Sequence, residues 1–148
     1  MKAMDVIERV DLLEPNDYSP EQKLRWLSAL DGRVVEEVIK THEGGEIDTP
    51  PSYETGAEEL VIGEPYGGDI YYHYLQAMIA AENSEIQRYN RRMTLFNSTY
   101  AAWCSRYAAA HAPKRAGDAF RFCEEGTGCC RHSAMNTPSG WSRTASRV

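Results

Sequence analysis

From Ile86 to Ala110 an apolar or aromatic residue occupies every a and d position of an unbroken heptad. The row reads Ile86, Tyr89, Met93, Phe96, Tyr100, Trp103, Tyr107 and Ala110. Steps of three then four residues keep all eight on one side of a helix. Five of the eight are aromatic, where a two-stranded zipper favours Leu, Ile and Val. The row is built for packing, which biases the reading toward a structural or interaction protein.

Upstream, Met4, Ile7, Val10 and Leu13 are spaced as a short amphipathic helix ended by Pro15-Asn16. Ser19-Pro20-Glu21-Gln22 is a helix start: a capping hydroxyl, a proline suited to the first turn, and a glutamine completing a capping box. Leu24, Leu27, Val34, Val35, Val38 and Ile39 then trace an apolar stripe, with Asp31-Gly32 as a local weak point. Gly44-Gly45 closes this helix just beyond His42, whose charge would suit the helix C-terminus.

Residues 44–69 form a long loop marked by Thr49-Pro50-Pro51, several glycines and many acids. Within it Glu59-Leu60-Val61-Ile62 is expected to form a strand or an extended arm. Leu60, Val61, Ile62 and Tyr66 are candidate contacts to a neighbouring subunit. The turn Glu64–Asp69 leads into a further helix from about Ile70, with Asp69 as its cap. A continuous rod from 70 to 110 would span about 60 Å. Asn83-Ser84-Glu85 reads as a fresh helix start and favours a break there. Ala112-Pro113 ends the last helix. The expected fold is all-α: a small bundle of about four helices with a long last helix, an extended acidic loop and an irregular C-terminal tail. Its domain covers 1–116, and 117–148 is a weakly docked or flexible tail.

Composition adds little to this and contradicts none of it. A chain of 148 residues makes one domain with a real core, and 42% hydrophobic with 26% charged residues excludes a disordered chain. No run approaches the roughly 18 apolar residues of a membrane span, and Met1 to Asp11 lacks a signal peptide's apolar core, so a cytoplasmic site of synthesis is expected. Residues 1–111 carry 19 acidic against 10 basic residues. So acidic a body argues against a dedicated DNA-binding surface. Arg88, Arg91 and Arg92 form a small basic cluster, read as a solvated face or as partners of an acidic neighbour.

Candidate chemistry is sparse. Cys123, Cys129, Cys130 and His132 are weak metal-ligand candidates, because adjacent cysteines chelate one ion poorly and zinc sites use two short chelating pairs. Cys104 reads as packing, since no basic residue is placed by sequence to activate it. Glu36-Glu37 and Glu58-Glu59 are adjacent acids that read as solvated surface. Gly67-Gly68 lacks the Lys-Ser/Thr of a phosphate loop. Neither an enzyme nor a cofactor is expected.

An ordered set of phrases carries a resemblance. Asp5-Val6-Ile7-Glu8-Arg9-Val10-Asp11 precedes Asn16-Asp17-Tyr18-Ser19 and Lys23-Leu24-Arg25-Trp26-Leu27-Ser28. Leu30-Asp31-Gly32-Arg33 and Glu37-Val38-Ile39-Lys40-Thr41-His42-Glu43-Gly44 follow. Then come Glu59-Leu60-Val61-Ile62, Pro65-Tyr66 and Ile70-Tyr71-Tyr72-His73-Tyr74-Leu75. Asn83, Glu85, Tyr89-Asn90, Leu95-Phe96-Asn97, Tyr100 and Tyr107 complete it. Over about residues 4–122 this order resembles the head–tail connector (adaptor) proteins of tailed bacteriophages and prophages of Gram-positive bacteria. The resemblance implies a mostly helical subunit in a ring beneath the portal protein, sealing the head and seating the tail. Its implied partners are further copies of itself, the portal protein and a downstream neck or tail-completion protein, with DNA only as passing cargo and no membrane. The implied location is the virion neck, assembled in the host cytoplasm. The final 26 residues depart from the pattern, since relatives tend to end near Phe120-Arg121-Phe122. An acidic surface also suits a channel lining that DNA slides past.

The rival reading is a helical adaptor or regulator that dimerises through the 86–110 seam. The two differ in what covers the seam. A connector subunit is expected to bury Tyr89 to Tyr107 against its own 20–43 helix, and a zipper to bury them between chains.

Overall fold

A computed structural model describes residues 1–114; the tail and its candidate ligands Cys123, Cys129, Cys130 and His132 lie outside the described residues. The described part is a bundle of four helices: α1 (Ala3–Leu13), α2 (Pro20–Val34), α3 (Gly67–Glu82) and α4 (Ile86–Ala110). No strand forms among the described residues, only isolated bridges between Lys2 and Glu59 and between His42 and Pro113.

α1 opens with the Asp5 carboxylate accepting the Lys2 backbone N–H at 3.1 Å. It buries Ala3, Val6, Ile7 and Val10. Leu13, expected on that stripe, is instead 60% exposed beside Leu12 at 83%. The chain's next inward side chain is Glu14, which is 9% exposed, so the stripe ends on a carboxylate rather than on leucine.

α2 starts where its signal stands. Ser19 Oγ accepts the Gln22 N–H at 3.3 Å and Pro20 occupies the first turn. The helix runs through Asp31-Gly32 without a break and widens afterwards into a π-helical turn, Val35–Ile39, with Lys40 N–H bonded to the Val35 carbonyl. His42 differs from expectation. It is buried, its Nδ1 lies 2.8 Å from the Val38 carbonyl, and its ring meets Tyr107 edge-on at 5.5 Å. A carbonyl only accepts, so Nδ1 carries the proton. His42 is therefore a core residue rather than a side chain at a solvated helix end.

The break near Asn83 is present: α3 stops at Glu82, Ser84 takes a positive φ of 59°, and α4 begins at Ile86. Tyr18 OH donates to Asn83 Oδ1 at 2.7 Å and ties this turn to the α1–α2 connection. α3 begins three residues before Ile70. Asp69 is thus not its cap; it sits in the first turn, where it still suits the positive end of the helix dipole and pairs with Arg9 at 3.4 Å. Gly67 packs against the Ile62 carbonyl with no room for a Cβ, which seats the α3 start on the preceding segment.

α3 is the middle of the molecule. It packs on α1 and α2 on one side and along α4 on another. At roughly 1.5 Å per residue, its 16 residues cannot cover the 25 of α4. The free end of α4 is held by backbone bonds from Glu43 N–H to the Ala112 carbonyl and from Lys114 N–H to the Thr41 carbonyl.

Candidate functional site

Three groupings are candidates for function: a buried carboxylate under the 44–69 segment, a second at the hairpin end, and the α4 face. Asp31 is fully buried. Its Oδ1 accepts the Tyr71 hydroxyl at 2.5 Å; its Oδ2 accepts the Tyr53 hydroxyl at 2.5 Å and the Val61 N–H at 3.1 Å. The Tyr71 hydroxyl in turn accepts the Ile62 N–H at 2.9 Å. Ser28 Oγ, one helical turn before Asp31, accepts the Tyr53 N–H at 2.9 Å. Burial pushes the Asp31 carboxyl up, and the three donors pull it partway back. Burial beside this carboxylate also pushes both tyrosine hydroxyls far up. With no exposed surface, Asp31 cannot meet a substrate. It clasps the 53–62 segment to α2 and α3.

That clasp corrects the arm reading. Leu60 and Ile62 are buried in their own subunit's core, Val61 is partly buried, and Leu60 N–H bonds to the Met1 carbonyl. The run forms no regular strand because its amides go to Asp31 and Tyr71 rather than to a neighbouring strand. Tyr66 packs at the edge, with the Arg106 guanidinium 5.4 Å from its ring centre. Glu58 departs from solvated surface too. Its Oε1 accepts the Thr55 N–H at 3.1 Å, the Thr55 hydroxyl at 2.9 Å and the Glu54 N–H at 3.3 Å. Backbone hydrogen bonds, its own amide's first, hold the Glu58 carboxyl down at about 2.

At the other end, Glu14 receives the Gln76 amide at 2.6 Å, Arg88 in direct contact, and Arg92 at 3.9 Å. Two of the three arginines in the basic cluster are therefore partners of an acidic neighbour, as expected. Lys23 is equally buried and reaches Asp11 at 2.5 Å. Burial lowers the His73 pKa, and its Nδ1 has no hydrogen-bond partner among the described residues.

The seam is only partly closed. Phe96 and Tyr100 are buried, with Phe96 against Tyr74 of α3 at 5.3 Å and stacked on Tyr100 at 5.4 Å. Tyr89, Met93, Trp103 and Tyr107 are partly buried, Ala110 is exposed, and Ile86 is 72% exposed. Burial against the 20–43 helix was expected. Instead α3 supplies most of the cover, and the 20–43 stretch contributes His42 against Tyr107. The reason is connectivity: a three-residue turn forces α4 back along α3 before any other helix reaches it. Cys104 lies beside Tyr100, in keeping with packing.

Among the described residues no group of three or more His, Cys, Asp or Glu is placed to hold a metal. The depression lined by Met1, Asp5, Val6, Arg9, Glu64 and Gly68 is shallow and open. Among the described residues no helix is long and apolar enough to cross a membrane. No family model, curated protein or solved structure matches the chain.

Asp31, Glu14, Gln76 and Lys23 are the buried polar groups that sequence reasoning missed. Asp31 did leave a trace: at helical spacing it falls on the stripe of Leu24, Leu27, Val34, Val35 and Val38, where a carboxylate needs donors.

Proposed function

We propose that this chain is a phage virion structural protein, a head–tail connector subunit that oligomerises as a ring under the portal protein and joins the head to the tail. The observation that carries the reading is α4. Among the described residues only Phe96 and Tyr100 of its 25 are buried, with the centre of the seam closed on Tyr74 of the same subunit, so most of a long helix is left facing outward. Helices in proteins gain most of their stability from packing, and a subunit that leaves so much helix uncovered is suited to an assembly. The ordered phrases from Asp5 to Tyr107 supply the identity of that assembly. On this reading the partners are further copies, the portal protein and a neck or tail-completion protein, with DNA as cargo. The protein performs no catalysis and holds no cofactor.

A dimeric adaptor zipped through the 86–110 seam is less well supported, because the seam's centre already packs on Tyr74 of the same chain. The test is native mass spectrometry and electron microscopy of the full chain, alone and mixed with the portal protein encoded in the same genome. Rings of constant mass docked on the portal are expected. A chain that ignores the portal and stays monomeric, or stops at a dimer, rejects the connector reading.

A further inference from the structure

The ring reading leaves open which surfaces meet, and the charge distribution assigns them. Residues 43–69 contain eight acidic residues and no basic one. Glu46, Asp48, Glu54, Glu59 and Glu64 are exposed, and none joins an ion pair among the described residues. α4 is the reverse: four arginines and no Asp, Glu or Lys in 25 residues. Arg88 and Arg92 are spent on Glu14, whereas Arg91 and Arg106 are exposed and make no ion pair among the described residues. Arg91, Leu95, Ser98 and Ala102 share the side of α4 turned away from the seam, Arg106 borders it with its guanidinium over the Tyr66 ring, and all five are exposed. A solvated helix face on an acidic protein usually mixes both signs and gains i,i+4 pairs. This one mixes none.

No ion pair joins the two surfaces among the described residues, although they approach at one edge, where Arg106 lies over the Tyr66 ring and Glu43 N–H bonds to the Ala112 carbonyl. The acidic segment is clasped to α2 and α3 through Asp31 and to the start of α1 through Met1, Ala3 and Met4. α4 packs along another side of α3. Complementary patches at different places on one molecule associate head to tail, and such contacts close into a ring when the rotation allows.

We propose that the Arg91–Arg106 face of α4 on one copy docks against the acidic 46–64 surface of the next copy. The proposal rests on the ring reading and specifies its contact. The occupant is a second copy of this chain because that copy carries the complementary charge. Clasping the acidic segment to the core then presents its carboxylates on a rigid surface, which lowers the ordering cost of association.

The test uses the full chain in analytical ultracentrifugation and native mass spectrometry at low and high salt. Four variants are compared: wild type, Arg91→Glu with Arg106→Glu, Glu54→Lys with Glu59→Lys, and all four changes together. All four positions are exposed, and circular dichroism checks that each variant folds. Wild type should assemble, less so at high salt. Each two-site reversal should weaken assembly roughly tenfold or more, and the four-site variant should restore it. Wild type that stays monomeric throughout overturns this proposal and counts against the ring reading as well. Assembly indifferent to either reversal overturns the assigned contact and leaves the ring standing. Unchanged assembly together with lost binding to duplex DNA in the arginine variant would make α4 a nucleic-acid face and overturn the proposal.

Discussion

α3 and α4 are adjacent in sequence, antiparallel neighbours in space and both rich in tyrosine, yet they live in different surroundings. Ten of the 16 residues of α3 are buried, against two of the 25 in α4. The more regular apolar stripe belongs to α4. A heptad row therefore tells which side of a helix turns inward and says nothing about how much chain is available to cover it. α3 is apolar over more of its circumference, as a helix enclosed by the 53–62 segment, α1, α2 and α4 must be. One helix holds the fold together, and the other stays largely exposed among the described residues.

The sharpest break of that contrast is Asp31→Ala. If the α3 side is the structural half, removing Asp31 strands the Tyr53 and Tyr71 hydroxyls and the Val61 amide inside the core. Unsatisfied buried donors cost about 1–3 kcal/mol each, so a total loss of at least about 3 kcal/mol is expected, enough to threaten a marginal domain. Urea denaturation would measure it. A loss below about 1 kcal/mol would show that Asp31 is not the clasp. Within α4 the comparison should repeat on a smaller scale. Phe96→Ala, at the covered centre of the seam, should cost about 3–4 kcal/mol, and Trp103→Ala, half-open and larger, should cost clearly less. Equal losses would mean that Trp103 is as enclosed as Phe96.

Much of the fold is legible in the chain because it is local. Ser19-Pro20 starts α2, Asn83-Ser84-Glu85 separates α3 from α4, and Ala112-Pro113 follows the end of α4. Each depends on backbone groups within a turn or two of the residues that signal it. The candidate site is less legible for the opposite reason. Asp31 finds its donors 22, 30 and 40 residues away, and Glu14 finds Gln76 62 residues away. No periodicity encodes such pairings. The same remoteness misled the reading of Leu60-Val61-Ile62 as an inter-subunit arm: its composition suits an extended edge, and only the fold reveals that Asp31 and Tyr71 occupy its amides. The basic cluster was partly legible, since a solvated face or an acidic partner was expected for Arg88, Arg91 and Arg92, and Glu14 takes two of them.

The smallest effect separates the clasp from the loop it holds. Glu58 staples residues 54–58 to one another and, unlike Asp31, does not reach into the core. Its carboxyl sits at about 2, below the ordinary 4.5, so its contribution to stability is present above pH 4.5 and disappears as pH falls through about 2. Asp31 runs the other way: its carboxyl is raised above 3.8, so its contribution is complete below that pH and declines as pH rises through the raised value. Glu58→Gln should accordingly lower the urea midpoint slightly and by a constant amount above pH 4.5, with the difference from wild type closing toward pH 2. Asp31→Asn should differ from wild type most at acid pH, because the wild-type contribution declines as pH rises through the raised value while the amide does not titrate. Urea midpoints collected from pH 2.5 to 7 would read both curves in one series. Two curves of the same sign would show that loop staple and core clasp are one electrostatic unit, and the division of the molecule into a held side and an exposed side would then have to be drawn elsewhere.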